Sequence, residues 1–166
     1  MTAQRFPTYE FQREPPYTVV TDGNYFRVKK SVRVLWRLHD DFTELFEPLV
    51  TRPEGGVGIQ LVFFESEQEY DQYANQYAPQ LENSSGFYSP KLDQLIAFNQ
   101  ITSTHLKRAK RKPAWQERLH RRNATTPEDK ARLELWREDS WRSIQRYAER
   151  KTIYTLRHEG AHQLFL

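Results

Sequence analysis

The stretch Ile59-Gln60-Leu61-Val62-Phe63-Phe64-Glu65-Ser66-Glu67-Gln68-Glu69-Tyr70 decides the fold. Its first half is a nearly continuous apolar run that follows the breakers Gly55-Gly56-Val57-Gly58, the pattern of a central strand covered on both faces. Its second half is a helix start: Ser66 stands at the cap with Glu69 three residues on, a capping box, and Tyr70, Tyr73, Ala74 and Tyr77 then share one face as far as Pro79. A two-faced strand handing over to an amphipathic helix belongs to a sheet with helices packed on it.

Working toward the N-terminus, Tyr25 opens a long helix. Val28, Val32, Leu35, Trp36, His39, Phe42, Leu45, Phe46 and Leu49 fall at steps of three and four, and Pro48 and Pro53 close it. His39 continues the apolar face and reads as a hydrogen-bonded core histidine. Before the helix, Tyr17-Thr18-Val19-Val20-Thr21 alternates and is β-branched, and Asp22-Gly23-Asn24 is turn chemistry, so a strand is expected there. Residues 1–16 hold three prolines and no periodicity and read as an extended arm.

Toward the C-terminus, Gly86-Phe87-Tyr88, a turn at Ser89-Pro90-Lys91, and Leu92 to Phe98 read as a hairpin. Thr126-Pro127-Glu128-Asp129 starts a further helix, with a capping threonine, proline in the first turn and acids at the positive end of the dipole. Leu133, Trp136, Ser140, Ile144, Tyr147, Lys151 and Tyr154 keep helical spacing toward the end of the chain. The expected fold is a single α+β domain with a mixed sheet and packed helices.

Composition narrows the chemistry. The 166 residues include no cysteine, which removes disulfide scaffolds, thiolate metal sites and a Cys nucleophile together, so a metal would need His and carboxylate ligands. No apolar run approaches the roughly 20 residues a membrane span requires, and no signal peptide is seen, while the compartment stays open. The net charge of +3 hides an uneven distribution. Eight basic residues and the single acid Glu117 give residues 105–122 a charge of +7, leaving −4 elsewhere.

The chemistry-bearing motif is His158-Glu159-Gly160-Ala161-His162. On a helix, His158 and His162 stand one turn apart on one face and can take adjacent corners of a tetrahedral Zn²⁺. Glu159, beside the first ligand, is then placed to act as general base on a metal-bound water. Gly160 is the one costly residue, by about 1 kcal/mol relative to alanine inside a helix, and is tolerable where a neighbour must come close.

The order of these parts, with Leu61-Val62-Phe63-Phe64, Glu69-Tyr70, Gly86-Phe87-Tyr88, Leu95-Ile96-Ala97-Phe98 and Arg157-His158-Glu159-Gly160-Ala161-His162-Gln163-Leu164, resembles a peptidase MA-like family of bacterial domains in the gluzincin group of zinc metallopeptidases. The resemblance spans most of residues 17–166. It implies a zincin-like subdomain whose last helix carries the motif, zinc as cofactor, and a peptide or protein as substrate. It also implies that Leu95, Ile96, Ala97 and Phe98 form an edge strand that pairs with an extended peptide through backbone hydrogen bonds. Relatives of this kind are often exported. Gluzincins take a third ligand, usually Glu, from a helix downstream of the motif, and no such residue follows His162 here. The expectation is therefore a partial domain that ends after the metal helix, its metal site incomplete in this chain, with Glu149, His105 and His120 as the upstream substitutes.

Two other readings stand beside the peptidase. One is a non-catalytic gluzincin-like interaction module. The other is a nucleic-acid binder using residues 105–122, with Trp115 stacking on a base. Residues 103–150 read as a basic helical insertion, and its charge is expected to pack on the acidic remainder of the chain rather than on nucleic acid.

Overall fold

The computed structural model describes residues 9–46, 59–81 and 84–165. Among these residues five strands, β1 (Glu10–Glu14), β2 (Tyr17–Thr21), β3 (Ile59–Phe64), β4 (Gly86–Ser89) and β5 (Gln94–Phe98), form one sheet in the order β1-β2-β3-β5-β4. β2, β3 and β5 run parallel in the centre, and the outer strands β1 and β4 are antiparallel to their neighbours. Among the described residues five α-helices accompany it: α1 (Tyr25–Phe46), α2 (Glu67–Tyr77), α3 (Thr104–Ala109), α4 (Arg111–Asn123) and α5 (Pro127–Phe165). The α+β architecture with a mixed sheet is as the sequence predicts. Pro48, Leu49, Pro53 and the glycine-rich loop at 55–58 lie outside the described residues, as do residues 1–8 of the expected arm.

The central strands are buried on both faces, which is why they read as apolar runs. Leu61 and Phe63 of β3, Leu95 and Ala97 of β5, and Tyr17 and Val19 of β2 face α1 and α5, where Val28, Val32, Leu35 and Leu156 complete one core cluster. Val62, Phe64, Ile96, Phe98 and Val20 point the other way, toward Tyr70, Tyr73 and Ala74 of α2. The period of two along each strand thus feeds two cores at once.

Residues 10–14 of the predicted arm are extended but not free: they form β1 and pair with β2 from Glu10↔Thr21 to Glu14↔Tyr17. Their charged, exposed sequence is that of a protected edge strand. The prolines that suggested an arm include the Pro15-Pro16 pair, which lies between the two strands and is joined by a cis peptide bond.

Helix α5 is a single element of 39 residues, about 58 Å long at the usual rise per residue. Thr126 Oγ1 accepts the Asp129 N–H at 3.1 Å and Asp129 Oδ2 accepts the Thr126 N–H at 3.3 Å, so the predicted start is a reciprocal capping box. Its N-terminal half packs on α4 and its C-terminal half on α1 and the sheet. Ala148, Thr152, Thr155, Leu156 and Gly160 are its buried residues. Two glycines make this docking possible. A Cβ on Gly160 would stand 2.6 Å from Leu35 Cδ2 and 3.1 Å from Leu38 Cδ2, and one on Gly86 would stand 2.6 Å from Thr155 Cγ2 and 2.8 Å from the Ile96 carbonyl oxygen. The helix-interior glycine that looked costly is the place where α5 meets α1.

Candidate metal centre and its surroundings

His158 and His162 lie on the last turns of α5. Their Nε2 atoms are 3.4 Å apart, with the rings edge to face. Two nitrogens each at roughly 2.0–2.1 Å from a tetrahedral zinc are about 3.3–3.4 Å apart, so the spacing suits two corners of one metal site. The His158 side chain is 55 % exposed and its ring stacks parallel to Tyr154, one turn earlier. Tyr154, His158 and His162 therefore form one outward stripe at i, i+4 and i+8.

Glu159 turns the other way. Its side chain is only 17 % exposed, and Oε2 accepts the backbone N–H of Tyr88 in the outer strand β4 at 3.1 Å. Oε1 stands 4.0 Å from His158 Nε2. One carboxylate oxygen is pinned to the sheet edge while the other lies on the side of His158. The Tyr88 amide is a participant that side-chain pattern cannot reveal, because a backbone donor carries no sequence signature. Tyr154 could have been found from its spacing to His158.

Among the described residues no cluster of three His, Asp or Glu could hold a metal. The three upstream candidates lie elsewhere. Glu149 is ion-paired to Lys30 at 3.1 Å and lines a cavity of about 330 Å³ with Glu65 and Asn99, nine residues up α5 from His158. His120 packs its ring against Trp136, with centroids 5.9 Å apart. His105 lines a separate groove with Glu67 and Asp71.

The expected substrate strand needs correction. Leu95, Ile96, Ala97 and Phe98 belong to β5, which is hydrogen-bonded to β3 on one side and to β4 on the other, and all four are buried. No free edge remains there for a peptide. The outer strand on this side is β4, and it is β4 that reaches Glu159.

The basic segment also departs from expectation. Of its side chains, Arg121 pairs with Glu117 at 2.8 Å within α4, and Lys110 lies over the Trp141 ring at 4.5 Å. Among the described residues Lys107, Arg108, Arg111, Arg118 and Arg122 make no ion pair, so the acidic remainder does not absorb their charge. No helix among the described residues is long and apolar enough to cross a membrane. Comparison with protein families, curated proteins and solved structures gives no match to this chain.

Proposed function

We propose that this chain carries the metal-binding part of a zinc-dependent peptidase, with His158 and His162 as ligands and Glu159 as general base. The observation that carries the reading is the 3.4 Å separation of the two Nε2 atoms with the Glu159 carboxylate beside them. Bound zinc supplies a Lewis acid and brings the pKa of a coordinated water toward neutrality.

The chain's own residues do the rest. His158 and His162 present Nε2 from one helical face, which fixes the donors without ordering a loop. Glu159 Oε2 is held by the Tyr88 N–H, so Oε1 is the oxygen that takes a proton from the attacking water and returns it to the departing amine. The anchor limits carboxylate rotation, which keeps Oε1 on the His158 side. Two histidines without a third described ligand hold zinc more weakly than a closed three-ligand site.

The test separates metal from turnover. Zinc content after equilibrium dialysis is expected to approach one per chain in the wild type and in Glu159→Gln, and to be lost in His158→Ala and His162→Ala. Hydrolysis of a mixed peptide library is expected from the zinc-loaded wild type and to fall by at least about a hundredfold in Glu159→Gln. Zinc retained by His158→Ala would remove the site, because the same Nε2 separation also suits an N–H···N bond between two metal-free rings. Zinc bound without peptide hydrolysis would leave a metal-binding interaction module.

A further inference from the structure

Helix α4 carries a solvent-facing stripe that the metal site does not use. At 3.6 residues per turn, Arg111, Trp115, Arg118 and Arg122 fall at i, i+4, i+7 and i+11, one above another, with Leu119 beside them. All five are exposed, Trp115 at 61 % and Leu119 at 41 %. The opposite face does the packing: His120 meets Trp136 of α5, and the helix's single acid, Glu117, is half-buried and taken by Arg121. Exposed Lys107 and Arg108 of α3 extend the positive surface at the N-terminal side.

We infer that this face docks on an anionic lipid bilayer surface. The three guanidinium groups around the stripe are free of ion pairs among the described residues and match a layer of phosphate headgroups in charge. Trp115 and Leu119 between them are a rigid aromatic and an aliphatic side chain pointing outward from a convex helix, the pair that inserts at the boundary of headgroups and acyl chains while arginine stems reach back to the phosphates. Nucleic acid accounts for the charges and for stacking on Trp115, but it gives the exposed Leu119 no apolar partner, and the face is a ridge rather than a groove that tracks a strand. The helix lies on the bilayer and does not span it, consistent with its 13 residues.

Co-sedimentation with phosphatidylcholine vesicles, with and without phosphatidylglycerol, tests the inference on the full chain. Binding is expected only with phosphatidylglycerol present and is expected to fall as salt rises. The triple variant Arg111→Gln, Arg118→Gln, Arg122→Gln should lose it. Trp115→Ala with Leu119→Ala, which leaves the charge unchanged, should weaken partitioning by about tenfold, and that is the arm that separates bilayer insertion from bare electrostatics. All five side chains are exposed, so both variants should keep the wild-type circular dichroism, which is checked alongside. Equal partitioning to both vesicle types, no partitioning, or unchanged partitioning of the Trp115/Leu119 variant would overturn the inference. An oligonucleotide that displaces the protein from anionic vesicles at equal phosphate concentration would overturn it in favour of nucleic acid.

Discussion

Gly160 reverses a familiar sign. In an exposed helix interior, alanine in place of glycine gains about 1 kcal/mol. Here the added methyl meets Leu35 and Leu38, and Leu35 is fully buried and cannot swing away. Gly160→Ala is expected to cost about 1–3 kcal/mol in urea unfolding, as overpacking of a filled core does. Asp22 offers a second residue-level test. Burial, and a hydrogen bond shared with Glu69, push its carboxyl up from 3.8 to about 7, while Glu69 is held below its ordinary value by that bond and by Ser66. The native state therefore binds the Asp22 proton more tightly than the unfolded chain. The resulting stabilisation is fully present below pH 3.8 and is lost as pH rises through about 7. Asp22→Asn keeps the oxygen that accepts the Glu65 N–H at 2.7 Å but cannot titrate. Its thermal midpoint should decline less than that of the wild type across that interval. Neither role is visible in sequence: a helix-interior glycine carries no sign of the neighbour it admits, and Asp22 beside Gly23 reads only as turn chemistry.

Elements were easier to read than their order in the sheet. The start of α2 is a case of local chemistry carrying through: Ser66 Oγ accepts the Glu69 N–H at 3.3 Å. The return arm differs from a full capping box, because Glu69 Oε2 accepts the Ser66 hydroxyl at 2.6 Å and the carboxylate also bonds Asp22. Ser66→Ala should lower stability by about 1 kcal/mol, readable as a shift in denaturation midpoint with an unchanged slope. The strand at 59–64 is legible because apolar residues on both faces leave a continuous run, the one at 17–21 because it alternates, is β-branched and ends in turn chemistry, and the one at 94–98 as the second arm of a hairpin. The rule that placed Ile59–Phe64 in the middle of the sheet applies equally to Gln94–Phe98, whose residues are all buried. The edge position that the family resemblance implies for this segment runs against its own apolar composition. Strand β1 was missed for a different reason: a charged edge strand has no apolar period, and its only signature is the partner it pairs with.

At the scale of the whole molecule, the sequence conveyed an α+β layer structure and a motif helix at its end, and it could not convey which distant groups would converge. The histidine pair was readable because both members sit on one helix, where spacing fixes geometry. The Tyr88 amide comes from a strand far away in the chain, and only the docking of α5 beside β4 brings it to Glu159. The uneven charge was likewise plain in sequence, but whether it is neutralised internally depends on which faces pack, and α4 turns its tryptophan and most of its arginines outward.

The continuity of α5 also sets where disorder can travel. Its first half packs against α4, with which it forms a helical hairpin, so its amides are the ones that fray when that helical hairpin loosens. Opening propagates along a helix turn by turn, and it meets a clamp where Ala148, Thr152 and Leu156 enter the core and Thr152 bonds the Gln100 amide at 3.3 Å. The histidines lie beyond that clamp, and the contacts of Gly160 with α1 and of Phe165 with Phe42 and Phe46 hold the far side. Melting of the α4–α5 helical hairpin would thus leave the spacing of the nitrogen pair intact, and the two ends of one helix can lose order independently.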